Sequence, residues 1–352
     1  MPFTGSQNVY PSFDGLLAVA EEVITTYGTV PADSAFSIVP TTGDFTVDIA
    51  AQSPKDTGLT MSKGTSVRKS KEFFVGKKNS RASFNTVADD VLLAYCLTSL
   101  FQHGVTVSGT SPKVYTAVPY TGQPTAQSNN PSKYKGLTLR KIFGGTDTNG
   151  AHQIAGFIMS RVRLSGDVGG VLTLSIEGTG LTGSPVTVVT MPTAQLVGAG
   201  RLLLDALTLK LAGSTVTPVS FSLEITNNLI QYYGQSAYPT DQCLGILDVK
   251  GDFALPSKGA GVTQFANQLS GTSQRMFGSW GTTKMTDNAT TWGSAGTAAA
   301  GGFAIGTDVE FGECRPEDQN GISVIKFPWV AMDNANGFQM EVDSATTLTV
   351  AA

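Results

Sequence analysis

Charge is scarce in this chain. Only 14% of its 352 residues are Asp, Glu, Lys or Arg, against roughly a quarter in an ordinary globular protein. Histidine occurs twice, at His103 and His152, and cysteine three times, at Cys96, Cys243 and Cys314. The cysteines are widely spaced, odd in number and never in a CxxC, so neither a disulfide framework nor a zinc site is indicated. Cys96 falls in an apolar, helix-like run and reads as a small core residue. No GxSxG elbow accompanies the two histidines, so the chain does not read as an enzyme. His103 reads as a residue stabilising a helix C-terminus. The opening MPFTGSQNVYPSFDG lacks a basic segment and an apolar segment, so no secretion signal is expected and folding in a cytoplasm is. No apolar run approaches the length of a membrane-spanning helix. A net charge of −4 argues against tight sequestration of nucleic acid, which calls for a strongly basic face.

What remains is dominated by threonine, serine, glycine and valine, a composition suited to many strands joined by turns. RVRLSGDVGGVLTLSIEGTG (161–180) tests that reading, because its clustered glycines could also cradle a phosphate. A phosphate loop needs a helix directly after it. Instead Leu172, Leu174 and Ile176 alternate with Thr173, Ser175 and Glu177, the period of a strand. The preceding FIMSRVRL also alternates, with Ile158, Ser160, Val162 and Leu164 on one face and Phe157, Met159, Arg161 and Arg163 on the other. The segment is a hairpin, and no cofactor site is indicated.

Along the chain, residues 1–40 read as an N-terminal arm with one short helix in FDGLLAVAEEVITTYG. Residues 41–195 and 216–352 each run strand, long loop, strand, helix, loop and further strands, joined by a linker over 196–215. The helices are ADDVLLAYCLTSLFQH (88–103), with Asp89 or Asp90 at its start, and GVTQFANQLSG (261–271), with Val262, Phe265, Ala266 and Leu269 on one face. The expected fold is mainly β, two tandem antiparallel β-barrel or sandwich modules, each with one flanking α-helix.

Two segments stand out as candidate subunit interfaces. Lys63, Arg68, Lys69, Lys71, Lys77, Lys78 and Arg81 crowd the stretch 62–81, opposed only by Glu72. The stretch reads as a lysine-guarded hairpin edge, as an arm meeting an acidic face of a neighbouring subunit, or as a nucleic-acid clamp. Residues 271–302 read as a long loop carrying Phe277, Trp280 and Trp292, whose buried destination a partner subunit could supply. The acidic ECRPEDQNG (313–321) lacks the ligand spacing of a calcium loop and reads as a turn on a hairpin.

Several motifs together resemble the tail tube proteins of long-tailed bacteriophages. AEEVITTYGTVPADSAFSIVP (20–40) is similar to the opening of that family, with Glu, then Tyr-Gly-Thr-x-Pro, before the first strand. The helix beginning with two acids (Asp89 and Asp90), the central strand pair SRVRLSGDVGGVLTLSIEGTG, and SFSLEITNNL followed by ILDVKGDFALP match its later order. The resemblance implies a structural subunit of the virion tail that stacks as rings into a hollow tube, alongside further tail proteins. Two modules per chain would make a ring of three copies, and one module per chain a ring of six; the resemblance also implies genomic DNA passing through the lumen during ejection, without specific binding. A carbohydrate-binding or adhesin module using Trp280 and Trp292, or another virion shell subunit, stays open as an alternative.

Overall fold

The computed structural model describes residues 15–348 apart from 23–27, 44, 52–76, 120–135, 144–148, 189, 199, 272, 288–291, 294–295, 320, 333–336 and 346–347. In the first half, β1 (Leu16–Glu21), β2 (Ser37–Ile38), β3 (Thr46–Ala51) and β4 (Lys78–Val87) precede helix α1 (Asp90–Phe101). Then come β5 (Val105–Ser108), β6 (Lys113–Ala117), β7 (Leu137–Ile142), β8 (Asn149–Asp167), β9 (Thr173–Gly180) and β10 (Thr182–Val188). The second half opens with β11 (Leu207–Leu211), β12 (Ser214–Val216), β13 (Ser220–Asn227), β14 (Ile230–Tyr232), β15 (Asp241–Cys243) and β16 (Leu247–Pro256), before α2 (Ala260–Leu269). It closes with β17 (Gln274–Trp280), β18 (Thr286–Asp287), β19 (Trp292–Gly293), β20 (Gly302–Phe311), β21 (Arg315–Gln319), β22 (Ile322–Ala331) and β23 (Gln339–Ser344).

In the first half β1 pairs with β2 and β7, β7 with β8, and β8 with β10. The run β3–β4–β9–β8 forms beside these. In the second half β11 pairs with β12 and β17, β17 with β20, and β20 with β23. Beside them runs β13–β16–β22–β21. Two pairings cross between the halves, β8 with β13 and β6 with β23. Every one of these pairs is antiparallel. The chain is mainly β; nineteen of its strands connect into one sheet that closes into no barrel among the described residues, while β14–β15 and β18–β19 form two-stranded sheets of their own.

Asp89 begins α1 by accepting the Leu92 N–H at 2.8 Å, the expected work of an aspartate at that position. Eleven of the twelve residues of α1 are buried, so this helix is apolar all round and enclosed rather than flanking. Its Leu93, Leu97 and Leu100 share one core with Leu17 of β1, Phe221 of β13 and Val342 of β23. That single core spans the expected linker 196–215, within which β11 and the start of β12 lie. The Ser99 hydroxyl of α1 accepts the Met159 N–H of β8 at 2.9 Å. At this point β8 carries one extra residue, between Met159 opposite Gly178 and Arg161 opposite Glu177, a bulge that leaves a ladder donor unpaired.

Three expectations need correction. Residues 16–21 form strand β1, not a helix. Leu17 and Val19 enter the main core while Ala18 and Ala20 enter a second cluster with Phe36 and Ile142. A strand buried on both faces has the continuous apolar run of a buried helix. The bulge also breaks the expected alternation of β8, putting Phe157 and Met159 in the same core as Val162 and Leu164. Finally, α2 packs only Phe265 of its apolar stripe against the main core and leaves the rest outward. Val262 and Leu269 are 54% and 69% exposed, while Gly261 and Gln264 are buried.

Two predictions follow from this packing. Ser99→Ala leaves the Met159 N–H without its partner and should lower unfolding stability by about 1–3 kcal/mol, whereas Leu269→Ala should change the isolated chain by less than about 0.5 kcal/mol. Urea midpoints at constant slope check both. The second concerns β23, where Asp343 and Glu341 are buried side by side. Burial, reinforced by Glu341, pushes the Asp343 carboxyl up to about 7. The folded chain therefore holds a proton that the unfolded chain has lost, so stability falls as pH rises from about 4 to about 7, by at most about 1.4 kcal/mol per pH unit. Asp343→Asn should flatten that slope in a thermal melt series.

Candidate functional surface

Side-chain alternation gives the sheet β3–β4–β9–β8–β13–β16–β22–β21 two unlike faces. Ala82 and Phe84, Val162 and Leu164, Leu174 and Ile176, Leu223 and Ile225, and Phe253 point into the core. The opposite positions carry Arg81 and Ser83, Arg161 and Arg163, Ser175 and Glu177, Ser222 and Glu224, and Lys250 and Asp252. Charges of both signs are placed against one another on this face. Arg161 bonds Glu224 at 2.6 Å and Glu177 at 3.1 Å. Lys250 reaches Glu224 at 3.4 Å and Asp248 at 3.7 Å, and Lys326 reaches Asp252 at 3.4 Å. The Arg161 hydrogen bond holds the Glu224 carboxyl below its usual range, and the same bond raises the Arg161 guanidinium. An open groove of about 530 Å³ runs over Arg161, Arg163, Glu177 and Asn85. Cations whose charge is already met by carboxylates have little left to offer a phosphate.

The basic stretch is described only at its end. Lys63, Arg68, Lys69 and Lys71 lie outside the described residues. Lys77 and Lys78 place their ammonium groups over the rings of Tyr233 and Tyr238, at 4.8 and 4.7 Å. Arg81 stands exposed on β4, opposite Asp48 of β3. The structure thus brings three of the seven cations to the β3–β4 end of the sheet.

The tryptophan segment is not the expected loop. Gln274–Trp280 is strand β17, between β11 and β20. Trp280 is fully buried, stacked on Phe303 at 5.1 Å and edge-on to Phe221 at 5.5 Å. Phe277 is 5% exposed and clusters with Met285 and Ala304. Trp292 is half-buried, stacked on Phe277 and covered by the Arg275 guanidinium at 3.7 Å. The chain itself buries Trp280 and Phe277, and it covers Trp292 in part.

The buried and titratable groups serve the fold. Glu22 accepts the N–H of Gly28 and of Gly156, each at 2.6 Å, and the Thr138 hydroxyl at 2.7 Å. It ties the segment after β1 to β7 and β8, while burial raises its carboxyl. Burial also raises all three thiols, Cys314 to about 11, the reverse of an activated nucleophile. His103 sits in the 3-10 turn that follows α1, and His152 packs edge-on to Phe143 at 5.0 Å. Among the described residues no group of three or more His, Cys, Asp or Glu could hold a metal ion, and no helix is long and apolar enough to cross a membrane. Sequence reasoning missed the Arg161–Glu224–Lys250 row. The outward parity of each residue was readable, but their adjacency depends on β8 pairing with β13.

No curated protein matches the chain. The family model described as phage tail tube protein matches residues 12–311. A mainly β chain with a two-faced sheet and a match over most of its length belongs to the phage tail tube family, as a structural subunit of the virion tail.

Proposed function

We propose that the chain is two copies of one tube module and that three chains close a ring of six modules. One observation carries this reading: the pairing scheme of eight first-half strands recurs in the second half, with β5, β6 and the hairpins β14–β15 and β18–β19 as additions to it. β1, β2, β7, β8 and β10 correspond to β11, β12, β17, β20 and β23. The four-strand run β3–β4–β9–β8 corresponds to β13–β16–β22–β21. A helix follows the second strand of each run. Even the bulge recurs. Phe311 faces Trp329 and Arg315 faces Lys326, which again leaves one extra residue on the strand matching β8. The module boundary then falls between β10 and β11.

Rings of three stack into a tube in the host cytoplasm, with further tail proteins at its ends, and the mixed-charge face of the eight-strand sheet lines the lumen. A conduit must not hold what it transports. Internally paired charges of both signs keep phosphate attraction weak along the wall, so DNA slides through. The basic stretch Lys63–Arg81 meets an acidic face of a neighbouring subunit, where its charge favours docking.

Electron microscopy of the purified protein should reveal rings or tubes, and ring mass should equal three chains. A strictly monomeric chain at high concentration would overturn the reading. Replacing Lys69, Lys71, Lys77 and Lys78 with Glu should block polymerisation while leaving the β circular dichroism unchanged; normal tubes from that variant would remove the basic stretch from the interface.

A further inference from the structure

The eight-strand sheet has two outer edges among the described residues. β3 pairs only with β4, and β21 pairs only with β22. The chain also contains one complete joint between its halves, β8 on β13. Resting on the two-module reading, we propose that β21 of one copy adds antiparallel to β3 of the next copy, in the register that β8 and β13 already adopt. Glu317 then faces Thr46, and Arg315 faces Asp48 of the neighbour.

The register follows from the bulge. Aligning the two bulges matches Gly178 with Trp329, hence Ala82 of β4 with Gly251 of β16, since these face each other in turn. The same alignment superposes the ten residues of β4 end to end on the ten of β16, and brings Phe84 onto Phe253. Following the pairs outward, Arg163, Leu164 and Ser165 of β8 correspond to Arg315, Pro316 and Glu317 of β21. Ser222, Leu223 and Glu224 of β13 correspond to Thr46, Val47 and Asp48 of β3. Inside the chain Ser165 faces Ser222, Leu164 faces Leu223 and Arg163 faces Glu224.

Charge supports the transfer independently. Across the internal joint the directly opposed residues read Arg163, Glu224, Lys250. Across the proposed joint they read Arg315, Asp48, Arg81, the last two already opposed within one chain. Both rows run cation, anion, cation, the favourable arrangement for side chains facing each other across strands. Among the described residues Arg315 makes one ion pair, the exposed contact with Glu313 at 2.8 Å, which contributes little. Pro316 stands where Leu164 stands and has no N–H, so the joint has one backbone donor fewer and its register leans on charge. A proline and charges on a bare edge also discourage indiscriminate pairing.

The bare face of α2 fits the same geometry. Around α1 the cover includes β23 of the other half, with Phe338 stacked on Phe101 at 5.9 Å. The strand corresponding to β23 is β10, and in the ring β10 of the next copy comes over Val262 and Leu269 of α2.

The test is a disulfide trap in full-length protein carrying Cys243→Ser and Cys314→Ser, with buried Cys96 retained. Thr46→Cys with Glu317→Cys should oxidise to covalent trimers on a non-reducing gel, and micrographs should contain rings. Asp48→Cys with Glu317→Cys, displaced by two residues, should stay largely monomeric, because its Cα atoms lie beyond disulfide reach. Rings that cross-link only through the displaced pair, or through neither, overturn this joint while the two-module ring stands. Absence of rings from the parent protein overturns both. Charge exchange guards against a misfolded cysteine variant: Arg315→Asp should abolish rings, and adding Asp48→Arg together with Arg81→Asp, which keeps the row alternating in sign, should restore them. Failure of that restoration, with Arg315→Asp folded by circular dichroism, also counts against the joint.

Discussion

The hydrogen bond from the Met159 N–H to the Ser99 hydroxyl is small, but the architecture converges on it. β8 must serve four partners, β7 and β10 with its first part and β9 and β13 with its second. A flat strand cannot do so, because its two ends would lie in one plane. The extra residue after Met159 turns the strand and rephases its side chains, at the cost of an orphaned backbone donor. α1 supplies the acceptor. Gly178 lies opposite the turn, where a side chain would strike the Ile158 carbonyl and the Phe157 ring. Helix, bulge and glycine therefore constrain one another, and the repeat of the bulge in the second half ties that half to the same geometry.

Asn227 shows how closely the halves are bound. Its side-chain amide donates to the Leu100 carbonyl near the end of α1, and its carbonyl oxygen accepts the Gly245 N–H. A residue that reads in isolation as a strand-ending turn former thus satisfies a helix end from the other half of the chain. With β8 on β13 and β6 on β23, the two halves share backbone ladders as well as one core. In the proposed ring the chain's own midline is the pattern for its contacts with neighbours.

Much of the fold was legible because local signals agreed with it. The 161–180 hairpin followed from alternation around glycines, and α1 from paired acids before an apolar run. Misreadings arose where burial removes the alternation. β1 sits between two clusters and so looks helical. β17 lies among short polar and glycine-rich segments that hid it. α2 had a clear amphipathic face, and yet only Phe265 of it meets the core while Val262, Ala266 and Leu269 stay exposed, because periodicity says which residues lie together and not which way they turn.

The surface was less legible than the fold. Arg161, Glu224 and Lys250 each lay at a readable outward position, but their mutual neutralisation required strands far apart in sequence to become adjacent. The sequence by itself determined the β class, the positions of α1 and α2, the low charge and the tail tube family. Only the tertiary structure decided which strands meet, which charges are neutralised and which edges stay open, because hydrogen-bond ladders and ion pairs act over a few ångströms in space and leave no mark on the spacing of residues along the chain.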